Sequence, residues 1–162
     1  MSVTNAEIAR AFERLALLVD LDGGDPFKSR AYRQAAFVIE GLDEQASDML
    51  AEGRDLTGLP GIGKATGAKI RELVETGTMS KLMEYEARIP DSMVELTELP
   101  GLGPGRVHRL REELGITDRK GLRQAAESGK IRAIKGFGEK IEARILEGLK
   151  NVDSAGFSPE VD

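Results

Sequence analysis

The chain has 162 residues, with 23 lysines and arginines against 28 aspartates and glutamates and a formal net charge of −5. It has no cysteine and no tryptophan, and aromatics make up 4%. This excludes disulfides and thiolate metal sites and argues against extended base stacking on aromatic platforms. No apolar run reaches transmembrane length and the N-terminus MSVTNAEIAR has no signal-peptide hydrophobic region, so a soluble, cytoplasmic protein with no membrane partner is expected.

The charge is uneven along the chain. Residues 1–53 hold five basic and ten acidic side chains, residues 54–150 hold eighteen and fifteen, and residues 151–162 form an acidic tail. A basic middle can serve a polyanion such as DNA, with modest and strongly salt-sensitive non-specific affinity. The acidic N-terminal face suits a protein partner instead.

In chain order, Ile8, Ala11, Phe12, Leu15, Leu18 and Val19 follow the spacing of one face of an amphipathic helix. The segment LDGGD ends it, and Asp25-Pro26 reads as an N-cap with proline in the first turn. A second helix runs through Tyr32, Ala35, Ala36, Val38 and Ile39 and stops near Gly41. A third, short helix is expected over residues 43–51. No stretch alternates with period two, so the fold class is all-α.

The rest of the chain carries an internal repeat. GLPGIGKATGAKIRELV, ELPGLGPGRVHRLREEL and AIKGFGEKIEARILEGL align without gaps. Each places an aliphatic residue (Leu59, Leu99, Ile134) two positions before a Gly-apolar-Gly triplet. The triplets are Gly61-Ile62-Gly63, Gly101-Leu102-Gly103 and Gly136-Phe137-Gly138. Six residues after each second glycine stands a cation, Lys69, Arg109 or Arg144, followed by Ile70, Leu110 or Ile145.

A short helix, a tight turn and a second helix account for this pattern. The glycines permit positive φ and close backbone approach, and the apolar residue between them can pin the turn to the core. Turn amides then lie at a helix N-terminus, which favours an anion such as phosphate. The backbone amides around Gly61, Gly63, Gly101, Gly103 and Gly105 are the expected contacts, assisted by Lys64, Lys69, Arg106 and Arg109. Nothing supplies a base-edge reader, so binding should be independent of sequence. GLPGIGKAT resembles a nucleotide-binding P-loop, but Ala65 stands where the magnesium-ligating hydroxyl belongs, and the other two copies lack Gly-Lys. Asp20 and Asp22 read as a helix-stopping acidic turn, and His108 as a surface or phosphate contact. The bland alternative is that the glycine turns only pack helices and the chain is a non-enzymatic interaction scaffold.

The hairpins, with DPFKSRAYRQAA before them, resemble the N-terminal region of family X DNA polymerases, the bacterial and archaeal members above all, over about residues 5–150. The resemblance implies tandem helix-hairpin-helix motifs in two small helical domains. Residues 1–86 would form a polymerase-beta-like lyase domain, 87–150 a duplex-binding domain, and 151–162 a flexible acidic tail. It implies a role in DNA repair or genome maintenance on duplex, nicked, gapped or abasic DNA, in the cytoplasm at the nucleoid. With twelve residues after Lys150, the catalytic palm is expected to be absent.

The same resemblance implies 5′-deoxyribose phosphate lyase activity as an alternative function. Its Schiff-base position falls on Lys69 and its pocket positions on Lys28 and Tyr32. The chain departs from the family pocket at Phe27, where a histidine stands, and at Thr57 and Ala65, where lysines stand. The other two copies carry Arg109 and Arg144 at the place of Lys69, and arginine forms no such adduct. No cofactor is required. A bound Na+ or K+ is implied at the carbonyls of Thr57, Leu59 and Ile62 and of Thr97, Leu99 and Leu102. The third hairpin departs furthest, with Lys135 for proline and Glu139 beside the anion position, and is expected to pack.

Overall fold

The computed structural model describes residues 2–155. Every regular element among them is helical, and none of these helices is long and apolar enough to cross a membrane. The chain divides after Ile89 into two compact units.

The first unit is built on α1 (Asn5–Leu21) and α2 (Pro26–Glu40). Thr4 caps α1 in a reciprocal box: Glu7 N–H donates to the Thr4 hydroxyl at 3.2 Å and Thr4 N–H to the Glu7 carboxylate at 2.9 Å, which satisfies two helix-end donors. Asp25 caps α2 by accepting from Phe27 N–H at 2.9 Å. The apolar faces meet in a core that includes Ile8, Phe12, Leu15, Tyr32, Ala35 and Ile39. Full burial of a side chain the size of Ile8 or Phe12 contributes about 1.5–3 kcal/mol. The alanines of α2 leave α1 little side chain to clear.

α3 spans Ala46–Ala51, three residues shorter than the sequence pattern predicts. The buried Asn5 sets its start. Its amide donates to the Glu44 carbonyl at 2.7 Å, and its oxygen accepts from Ala46 N–H at 2.7 Å, so residues 43–45 are held out of the helix by a contact forty residues away. α4 (Lys64–Thr76) follows a 3-10 turn at Leu56–Gly58, and α5 (Ser80–Arg88) returns along α1. Asp20 pairs with Arg33 at 2.8 Å and Asp22 with Arg88 at 3.5 Å, which makes the acidic turn a structural feature.

The second unit comprises α6 (Asp91–Leu96), α7 (Pro104–Leu114), α8 (Arg119–Glu127) and α9 (Gly138–Ala155). Met93, Leu96, Val107, Leu110, Leu122 and Ile145 are fully buried. Asp118 caps α8 through Gly121 N–H at 2.8 Å. Gly148 lets α9 close on the turn before α7, where an added Cβ would lie 2.9 Å from Pro100 Cδ.

Candidate nucleic-acid interface

The three repeats fold by one local code. Ile62, Leu102 and Phe137 donate their backbone N–H to Leu59, Leu99 and Ile134 at 3.1, 3.1 and 3.0 Å. Each of these apolar residues is at most 3% exposed, so it pins its turn to a core. The preceding glycines take φ of +85, +83 and +91°, a region costly for any side chain. The aliphatic residues nine positions after these glycines (Ile70, Leu110, Ile145) are fully buried. Hairpin geometry and core attachment thus come from the same few residues.

The first two hairpins end alike. Gly63 and Gly103 are extended N-caps, at φ −85° and −87°, and neither α4 nor α7 has a side-chain cap. Gly63, Lys64 and Ala65 are exposed in one, Gly103, Gly105 and Arg106 in the other, and a Cβ on Gly63, Gly103 or Gly105 would meet nothing within 4 Å. Donors at a helix N-terminus therefore face open space in both units. The third hairpin differs. Gly138 has φ +70°, Glu139 occupies the first turn of α9, and Glu142, 4% exposed, accepts from Arg132 N–H at 2.9 Å and from its guanidinium at 3.0 Å. A buried carboxylate beside that turn disfavours an incoming anion, which fits a packing role.

The expected side chains separate by environment. Lys64 is exposed at the α4 N-terminus, and Arg106 Nη1 donates to the Gly101 carbonyl at 2.8 Å. Arg109 is committed inside its unit: it pairs with Glu113 at 2.8 Å, donates to the Lys135 carbonyl at 2.7 Å and lies 5.4 Å from the Phe137 ring centre. A cation so engaged has little left for a ligand. His108 is half-buried. The carbonyls of Leu59 and Leu99 already accept the turn N–H of Ile62 and Leu102, leaving one lone pair each for a cation. Carbonyl oxygens are suitable ligands for such hard ions.

On α4, Lys69 sits on a different face from Lys64. It is half-buried, its Nζ 5.7 Å from the centre of the Tyr32 ring. Burial, reinforced by the charges of Lys81 and then Lys28, holds its ammonium below the ordinary lysine value, with Glu72 and Glu84 acting in the opposite sense. Burial also pushes the Tyr32 phenol up. Lys69 thus lies against Tyr32, with the charge of the exposed Lys28 felt at its ammonium. The structure adds Lys81, twelve residues downstream on α5, which no repeat or local pattern signals. Phe27 is 74% exposed with the Arg30 guanidinium 4.7 Å from its ring centre. A separate groove of about 420 Å3 between the 3-10 turn and α4 is lined by Leu50, Asp55, Thr57, Lys64 and Arg71 among others, and Lys69 has no part in it.

Residues 3–79 match the helix-hairpin-helix domain family and residues 93–151 the SAM-like helix-hairpin-helix tandem family. Over 154 residues, 95% of its length, the chain is 38% identical to the DNA polymerase/3′-5′ exonuclease PolX of Bacillus subtilis (strain 168), and spans 26% of that protein. Built of these two kinds of helix-hairpin-helix domain, the chain corresponds to the N-terminal region of family X DNA polymerases.

Proposed function

We propose that the chain binds DNA through its phosphate backbone, without sequence specificity, at the first and second hairpins, in a repair or genome-maintenance setting at the nucleoid. The observation that carries this reading is the matched pair of uncapped, exposed helix N-termini at Gly63 and Gly103. Both match helix-hairpin-helix families, and the polymerase relative supports a DNA context. Lys64 and Arg106 stand beside them without a carboxylate partner among the described residues and add charge to the contact. The carbonyls of Thr57, Leu59 and Ile62, and of Thr97, Leu99 and Leu102, offer an oxygen set for a Na+ or K+ that would bridge each turn to a phosphate. Binding to intact, nicked, gapped and abasic duplexes, measured across a salt series, tests the reading. It predicts a steep loss of affinity with salt. No binding to any of them at low salt would leave the interaction scaffold as the better account.

A second reading is favoured by the surroundings of Lys69. A lysine with a lowered pKa keeps more of its amine free to act as a nucleophile. In this reading Nζ attacks C1′ of a ring-opened abasic sugar and loses water to form the imine. Removal of a C2′ proton then expels the 3′-oxygen. Borohydride should trap the protein covalently on abasic DNA, and Lys69→Ala should abolish the adduct. An undiminished adduct in Lys69→Ala would assign the chemistry to another amine.

A further inference from the structure

The three cations that share one place in the repeat are put to three uses. Lys69 lies against Tyr32. Arg109 crosses from the second hairpin to the third, where its Nη1 would stand 3.2 Å from a Cβ on Gly136. Arg144 makes the reverse crossing, from α9 to the second hairpin, and a Cβ on Gly101 would lie 3.8 Å from its Cζ and 3.9 Å from its Nε. The exchange is reciprocal in place and unequal in chemistry. Arg109 is neutralised by Glu113. Arg144 is exposed and has no carboxylate partner among the described residues.

Arg106 reaches the same glycine from α7, its Nη1 2.8 Å from the Gly101 carbonyl, and it too lacks a carboxylate. Most arginines of this chain have one, as Arg33, Arg54, Arg88, Arg119 and Arg132 show. Two uncompensated guanidiniums therefore converge on one turn. Like charges gathered at one point repel, and an anion between them relieves the repulsion. Guanidinium forks match phosphate oxygens in geometry as well as charge.

We infer that Arg106 and Arg144 form one phosphodiester clamp at the Gly101 turn, with Arg144 lent to the second hairpin by the helix of the third. The inference rests on the DNA-binding reading and adds to it a cation from the third hairpin, whose helix carries Glu139 in its first turn. It also divides the labour of the second unit: Arg109 braces the two hairpins against each other, and Arg144 serves the ligand.

The test is the salt dependence of duplex binding by the full chain, for wild type, Arg106→Gln and Arg144→Gln, with a thermal melt of each. Each substitution should flatten the slope of log K against log salt by about 0.9, the value for one lost phosphate contact on B-form DNA. A wild-type slope in Arg144→Gln beside a reduced one in Arg106→Gln overturns the clamp and leaves the DNA reading standing. Salt-independent or absent binding by wild type overturns both. Phenylglyoxal modification of the wild-type protein, mapped by mass spectrometry, needs no variant to fold. Duplex DNA should protect Arg144, and inorganic phosphate at the same phosphate concentration should not. Equal labelling with and without duplex refutes the inference, and equal protection by inorganic phosphate replaces the clamp with a free-anion site.

Discussion

Gly148→Ala sets helix propensity against packing. In the interior of a helix alanine is favoured over glycine by about 0.8–1.0 kcal/mol, so α9 considered alone should gain from the change. The tertiary contact reverses the sign. The new Cβ would stand 2.9 Å from Pro100 Cδ and 3.7 Å from Leu99 Cδ2, against an optimal carbon–carbon separation of about 3.5–4.0 Å. A proline ring cannot swing aside as the end of a long side chain can, so helix and hairpin must part by about 0.5–1 Å. Overpacking of this kind costs about 1–3 kcal/mol, which leaves a net loss of about 1 kcal/mol. For a unit of this size that lowers Tm by about 4–8 °C. Gly105→Ala is the opposite case, because its Cβ would meet nothing within 4 Å, and Tm should hold or rise. Thermal unfolding of the full chain by circular dichroism measures both. A Gly148→Ala protein melting at or above wild type would show that α9 does not close on the Pro100 turn as described.

Three further outcomes are expected. Replacing Lys64 and Arg106 together with glutamine should flatten the salt slope of duplex binding by about 1.8, two phosphate contacts' worth; an unchanged slope removes both residues from the interface. Borohydride trapping on abasic DNA should increase with pH through a value below the ordinary 10.5 of lysine, because burial and then Lys81 and Lys28 depress Lys69; a midpoint at the ordinary value would mean that the reacting amine is a different one. The same shift affects stability: with the folded pKa below 10.5, the unfolded chain holds its proton more tightly, so stability should rise with pH from the depressed value upward. Above pH 10 the buried Tyr32 phenol, raised from 10.0, adds the opposite slope. Urea unfolding at pH 8 to 10 should therefore show a rise in wild type that Lys69→Gln lacks, and parallel curves would contradict it.

The three hairpin turns were legible in the sequence because hairpin geometry is local. A three-residue turn bond, a glycine with positive φ and one apolar pin need only neighbours along the chain. Their repetition marked Gly61, Gly101 and Gly136 as equivalent, and the structure gives all three the same turn. The capped start of α2 follows from Asp25-Pro26 for the same reason. The all-α class follows from unbroken helical periodicity.

Position in the repeat did not determine what a side chain does, because side chains answer to whatever packs beside them. Lys69, Arg109 and Arg144 share one place, yet one lies against Tyr32 beside the charges of Lys28 and Lys81, one is spent on Glu113 and the Lys135 carbonyl, and one reaches Gly101. The third hairpin parts from the other two at Gly138, whose φ is positive where Gly63 and Gly103 are extended. α3 begins late because Asn5 takes the Ala46 amide, and Gly148 is needed because Pro100 leaves no room for a Cβ. Backbone turns were set by short-range sterics and hydrogen bonds. The fate of each cation was set by long-range contacts, which arise only when helices distant in sequence come together.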